Sequence, residues 1–135
     1  MLSALTYASL GLGVSASAIV PHILPRGSEG TFTLEAVGKA SGPIGQLDDG
    51  QNRIGGNLPL GHLHWKGDTI VDDKGRGCII TPPNTTQWQC DSGVKGVPGF
   101  EFGCDNKLLY HGSPDFWACP VDDHGQWNIY IKPAF

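Results

Sequence analysis

Apolar residues along this chain come in short runs, and no window sustains the i, i+3, i+4, i+7 spacing of an amphipathic helix. Twenty glycines and ten prolines among 135 residues interrupt the pattern every few positions. What survives between the breaks is strand-like, and it predicts strands over residues 31–37, 44–47, 53–55, 62–65, 69–72, 78–81, 87–90, 100–102, 108–110, 116–118 and 127–131. Short strands at such even spacing, parted by turn residues, predict an all-β domain: a compact antiparallel sandwich or barrel, with a β-trefoil-like arrangement as a variant. Trp88 stands between Gln87 and Gln89, and Trp127 between Gln126 and Asn128. On an alternating strand that places both rings on the core face.

The first residues break this pattern. Leu2 to Ala18 carry no charged side chain and end in Ala16-Ser17-Ala18, a small-x-small cleavage site, so residues 1–18 read as a secretory signal peptide. The run is too short and too rich in Gly and Ser for a permanent span, which needs about 20 apolar residues. Removal of 18 residues leaves 117, enough for one domain with a modest core. Residues 19–30, with Pro21, Pro25 and Gly27, are expected as an extended arm or short pro-segment outside the core, and 31–135 as the single β-rich domain. The chain ends without the hydrophobic tail of a GPI signal, so no membrane anchor is expected in the mature form.

Charge narrows the partners. The formal net charge is -4 and no basic stripe is present, which argues against nucleic acid.

Cysteine usage agrees with export. Cys78, Cys90, Cys104 and Cys119 form an even set with 11, 13 and 14 residues between successive members. In an oxidising compartment this reads as two disulfides, and no close C-x-x-C pair supports a metal centre instead. Four cysteines permit three connectivities. If strands 78–81 and 87–90 pair as a hairpin, residues whose numbers sum to 168 face each other, which sets Cys78 opposite Cys90. A disulfide is then within reach if the pair is a non-hydrogen-bonded one. Cys104 with Cys119 follows by default.

The remaining candidate chemistry is sparse. Asp48-Asp49-Gly50, Asp72-Asp73-Lys74-Gly75 and Asp122-Asp123-His124-Gly125 have carboxylates suited to calcium, but lack the longer ligand series of an EF-hand and read as hairpin turns. His62 and His64 share a strand face without a placed third ligand, so neither metal nor cofactor is assigned. No G-x-S-x-G elbow occurs, no pair of carboxylates is singled out for glycoside hydrolysis, and a non-enzymatic role is expected. Trp65 and Trp117 are candidate carbohydrate contacts, since flat rings can cover sugar faces. Asn84-Thr85-Thr86 is the only N-x-S/T sequon and marks Asn84 as a candidate glycosylation site.

Cys90-Asp91, Leu108-Leu109-Tyr110-His111-Gly112, Asp115-Phe116-Trp117-Ala118-Cys119-Pro120 and Gln126-Trp127-Asn128-Ile129-Tyr130 together resemble the C-terminal half of small secreted fungal cell-wall proteins. These are of the phialide wall protein (PhiA-like) and PIR-like mannoprotein kind. The resemblance covers residues 31–131, is strongest after Ile70, and implies a β-rich domain in an extracellular or wall location. Gln46-Leu47-Asp48-Asp49-Gly50-Gln51 is also similar to the repeat of PIR wall proteins. In that family the first Gln is thought to lose ammonia and form an ester with β-1,3-glucan, which implies Gln46 as the acyl donor and Asp49-Gly50 as the turn presenting it. This sequence has one copy, and Asn52-Arg53 replaces the usual ending. The reading is a secreted, disulfide-stapled wall protein with β-glucan as partner. The alternative is a secreted carbohydrate-binding module or host-directed effector.

Overall fold

A computed structural model of the chain describes residues 21–26, 30–82, 85–121 and 125–132. Among them there is no helix, and so none long and apolar enough to cross a membrane. The elements are β1 (His22–Arg26), β2 (Thr33–Val37), β3 (Gly42–Gln46), β4 (Asn52–Ile54), β5 (Leu63–Lys66), β6 (Thr69–Asp72), β7 (Gly77–Ile80), β8 (Trp88–Asp91), β9 (Phe100–Phe102), β10 (Leu108–Tyr110), β11 (Trp117–Pro120) and β12 (Trp127–Tyr130). The all-β antiparallel expectation is met, with strands falling within two residues of the expected bounds from β2 onward.

Six strands form one sheet in the order β1-β2-β3-β4-β12-β11, β5 to β8 form a four-stranded meander, and β9 pairs with β10. Single bridges stitch the sheets into a half-barrel: Phe32 exchanges both backbone hydrogen bonds with Leu63 at 2.8 Å, Gln51 pairs with Gln89, and Gln87 pairs with Tyr130. β8 thereby crosses the ends of β4 and β12. These bridges satisfy backbone groups that would otherwise be left at sheet edges.

Alternation decides what is buried. Leu34 and Ala36 of β2, Ile44 of β3, Ile54 of β4, Trp88 and Cys90 of β8, Ala118 of β11 and Ile129 of β12 all enter one core, while their neighbours in the strands face outward or lie at its rim. Each large apolar side chain so buried contributes roughly 1.5 to 3 kcal/mol. Trp88 is completely buried and Trp127 packs half-buried against the core, as the polar neighbours of each ring predict.

One expectation needs correction. Residues 19–30 were expected to lie outside the core, yet β1 pairs along its whole length with β2, from His22 opposite Val37 to Arg26 opposite Thr33, and Ile23 is fully buried. Pro25 is compatible with this because β1 is the sheet edge, where a missing N–H breaks no central ladder. The signal-peptide expectation falls outside the described residues, as do Asn84 and Asp122-Asp123-His124.

Candidate functional site

The two described Asp-Gly turns are not independent hairpin loops; they meet. Asp72 ends β6, and its carboxylate folds back on its own turn: Oδ1 accepts from the backbone N–H of Lys74 at 3.0 Å and of Arg76 at 2.8 Å. Gly75 completes this turn at φ 79°, its N–H donating to the Asp72 carbonyl. Oδ2 accepts from Arg76 Nε at 2.6 Å and from Gln46 Nε2 at 3.1 Å. Four donors thus converge on one carboxylate whose side chain is fully buried. Burial of a carboxylate is costly unless it is paired and hydrogen-bonded, as this one is.

Arg76 carries the connection to the other turn. Its NH1 donates to the carbonyl of Asp48 at 2.7 Å and its NH2 to Gln46 Oε1 at 3.3 Å. Gln46 Nε2 also donates to Asn52 Oδ1 at 3.2 Å, and Asn52 Nδ2 donates to Cys90 Sγ at 3.5 Å. Gln46, Asn52, Asp72 and Arg76 are therefore one buried polar cluster joining β3, β4, β6 and the β6–β7 turn, with the disulfide at its edge.

This geometry bears directly on Gln46. An acyl donor to wall glucan must offer its carboxamide to a polymer, but Gln46 is only 9% exposed and both ends of its amide are engaged inside the protein. The repeat-like stretch 46–51 is here the β3–β4 connection, with Leu47 N–H donating to Gln51 and Gly50 N–H to Leu47. The expected presentation of Gln46 is corrected: the turn faces Arg76 and β8, and it holds the amide inward. Asn52, Asp72 and Arg76 escaped the sequence reading because three similar turns looked alike. The available signal was the β-branched run Thr69-Ile70-Val71 leading into Asp72, with a cation four residues further on.

Cys78 and Cys90 stand opposite each other in the β7–β8 register, Cα atoms 3.8 Å apart, and are joined by a disulfide inside the core. Their backbone groups turn away from one another, the Cys78 carbonyl accepting from Val97 N–H and the Cys90 N–H donating to Gly50. This is a non-hydrogen-bonded pair, the type in which side chains approach most closely. The default second bond is corrected. Cys104 is an exposed thiol in the turn after β9, whereas Cys119 lies on β11, paired with Asn128 in the large sheet, and no bond joins the two. Elimination did not bring these residues together, because Cys104 follows the small β9–β10 sheet's first strand while Cys119 belongs to the six-stranded sheet.

The candidate sugar-contact rings also part company. Trp65 is on the core side of β5, packed edge-on against Phe102 with ring centres 5.6 Å apart and tilted against Phe32 at 5.9 Å. Trp117 faces the other way from buried Ala118, half-exposed on the outer face of β11 and opposite Tyr130. His62 is exposed and His64 half-buried, and among the described residues no group of three or more His, Cys, Asp or Glu is arranged to hold a metal ion.

The described residues thus form an all-β domain braced by a core disulfide and a buried ionic clamp. The comparison with known families is more specific: residues 69–134 match the cell wall mannoprotein PIR1-like C-terminal domain. The matched stretch begins at the first residue of β6 and is what this chain shares with that domain. No curated protein and no solved structure matches the chain. The match contains Asp72, Arg76 and all four cysteines; Gln46 and the repeat-like turn lie before it.

Proposed function

We propose that this chain is a secreted structural protein of the fungal cell wall, held there by association with wall polysaccharide, β-glucan above all. The observation that carries the reading is the PIR1-like match over residues 69–134, which supply β6 to β12. The disulfide and the exported-protein leader support the same compartment. Asn84, in the only sequon, is the position that would carry a glycan. The internal hydrogen bonds of the Gln46 amide support a non-covalent association over an ester through that residue.

Sequential extraction of native walls tests this. Hot detergent with reductant should release the protein, and neither mild alkali nor β-1,3-glucanase should be needed. Recovery only in the culture medium would instead favour the freely released effector reading.

A further inference from the structure

The outer face where β8 crosses β4 and β12 carries an unusual concentration of amides. Gln51 and Arg53 of the β4 region, Gln87 beside β8, and Asn128 and Tyr130 of β12 all point away from the core, since Asn52, Ile54, Trp88 and Ile129 between them point in. The bridges Gln51 to Gln89 and Gln87 to Tyr130, with the pairs Asn128 to Arg53 and Tyr130 to Trp117, set these side chains side by side on one surface.

Hydrogen bonds fix them in place. Arg53 Nε donates to Asn128 Oδ1 at 3.1 Å, its NH1 donates to Gln126 Oε1, and its NH2 reaches Gln51 Oε1 at 3.4 Å. Gln87 Nε2 donates to the same Gln51 oxygen at 3.3 Å, and Asn128 Nδ2 reaches the Tyr130 hydroxyl at 3.5 Å. Trp117 borders this lattice, half-exposed, and among the described residues no ring stacks on it.

We propose that this face is a binding platform for a neutral glucan chain, with Trp117 as the ring against which one sugar lies and Gln87, Asn128 and Tyr130 as the groups that meet its hydroxyls. The inference rests on the wall reading above and gives it a site. Three features favour this occupant. The guanidinium of Arg53 donates to the amide oxygens of Asn128, Gln126 and Gln51, and the neighbouring Asp49 carboxylate accepts from Gln51 Nε2 at 3.0 Å, so the face mixes amides with a charge of each sign and suits a neutral polymer better than an anionic one. Amides and a phenol donate and accept at once, as hydroxyl groups do. Because the side chains are already ordered by their mutual bonds, binding loses less rotamer entropy than it would on a loose surface. Trp117 adds an apolar plane with a polar edge, suited to the C–H face of a pyranose ring.

The test uses the folded, secreted protein with insoluble linear β-1,3-glucan as the probe, and chitin and mannan as parallel arms. The parent should sediment with β-1,3-glucan in low and in high salt. Trp117→Ala should weaken binding at least about tenfold, as removal of an aromatic anchor does, and Gln87→Ala should weaken it by a smaller factor. Val37→Ser, at an exposed position on β2 separated from β4 by β3, should bind as the parent does. Should Trp117→Ala fail to fold, Gln87→Ala carries the test alone, since it removes a half-exposed side chain. Parent-like binding by the folded variants would overturn the platform, and so would retention by chitin or mannan without retention by β-1,3-glucan. A parent that binds none of the polymers also overturns it, whereas the wall reading is judged separately by extraction of native walls.

Discussion

Gln46 Nε2 donates to Asp72 Oδ2 across 3.1 Å, joining β3 to β6 over 26 residues of sequence. Around this bond the β3–β4 and β6–β7 turns are held back to back, because Arg76 reaches the Asp48 carbonyl of one while pairing with Asp72 of the other. The result is a clamp at the end of the half-barrel, and it accounts for why a stretch similar to a wall-linking repeat is folded inward in this chain.

Asp72→Ala should therefore destabilise the domain by about 3 to 5 kcal/mol, since Arg76 would remain buried with its charge uncompensated. The measurement is urea denaturation at neutral pH. The double variant Asp72→Leu with Arg76→Met should recover part of that loss, because a buried ion pair is often replaceable by apolar groups of similar volume. A single variant as stable as the parent would show that the clamp is not formed.

Gln46→Ala is expected to act on stability and not on attachment. It removes the amide that bonds Asn52, Asp72 and Arg76, at a cost of about 1 to 3 kcal/mol for the buried groups left short of partners. Wall fractionation of the same variant should show parent-like retention at a temperature where it is folded. Its loss to the medium with an unchanged melting temperature would restore the ester reading.

Glycines at the two turns should differ sharply. A Cβ on Gly50, at φ 99°, would lie 1.8 Å from the Cys90 carbonyl oxygen, so Gly50→Ala must displace β8 as well as strain its own backbone. Gly75, at φ 79°, has nothing within 4 Å of its would-be Cβ. Gly75→Ala should cost only about 1 to 2 kcal/mol for the left-handed conformation. Gly50→Ala should cost clearly more, read as the difference in denaturation midpoints.

The cysteines make a chemical prediction. In the unreduced native protein an alkylating reagent should modify Cys104, which is exposed, and leave Cys78 and Cys90 untouched. Reduction should then lower stability by about 3 kcal/mol, as expected for a closed loop of this size. Peptide mapping decides it: a Cys104-containing disulfide in the secreted protein would contradict the arrangement described.

Trp88→Ala should cost about 3 to 5 kcal/mol because it opens a cavity in the centre of the core. Trp88→Phe should be milder. The indole Nε1 is buried without a hydrogen-bond partner, so the smaller ring gives up packing and no polar contact.

Much of this was legible in the chain itself. Local alternation placed eleven strands, put Trp88 and Trp127 on the inner side, and set Cys78 opposite Cys90, because the period of a strand and the register of a short hairpin are fixed within a few neighbouring residues. The cell-wall resemblance likewise lay in contiguous motifs after Ile70. β1 was not legible, since its burial depends on pairing with β2 and its prolines speak locally for an arm. Nor were the fate of Gln46, the partners of Asp72, the separation of Cys104 from Cys119, or the assembly of Arg53, Gln87 and Asn128 on one face. Each depends on which strands come to lie together across long stretches of chain. That choice is made by burial of the common core, and only tertiary structure expresses it.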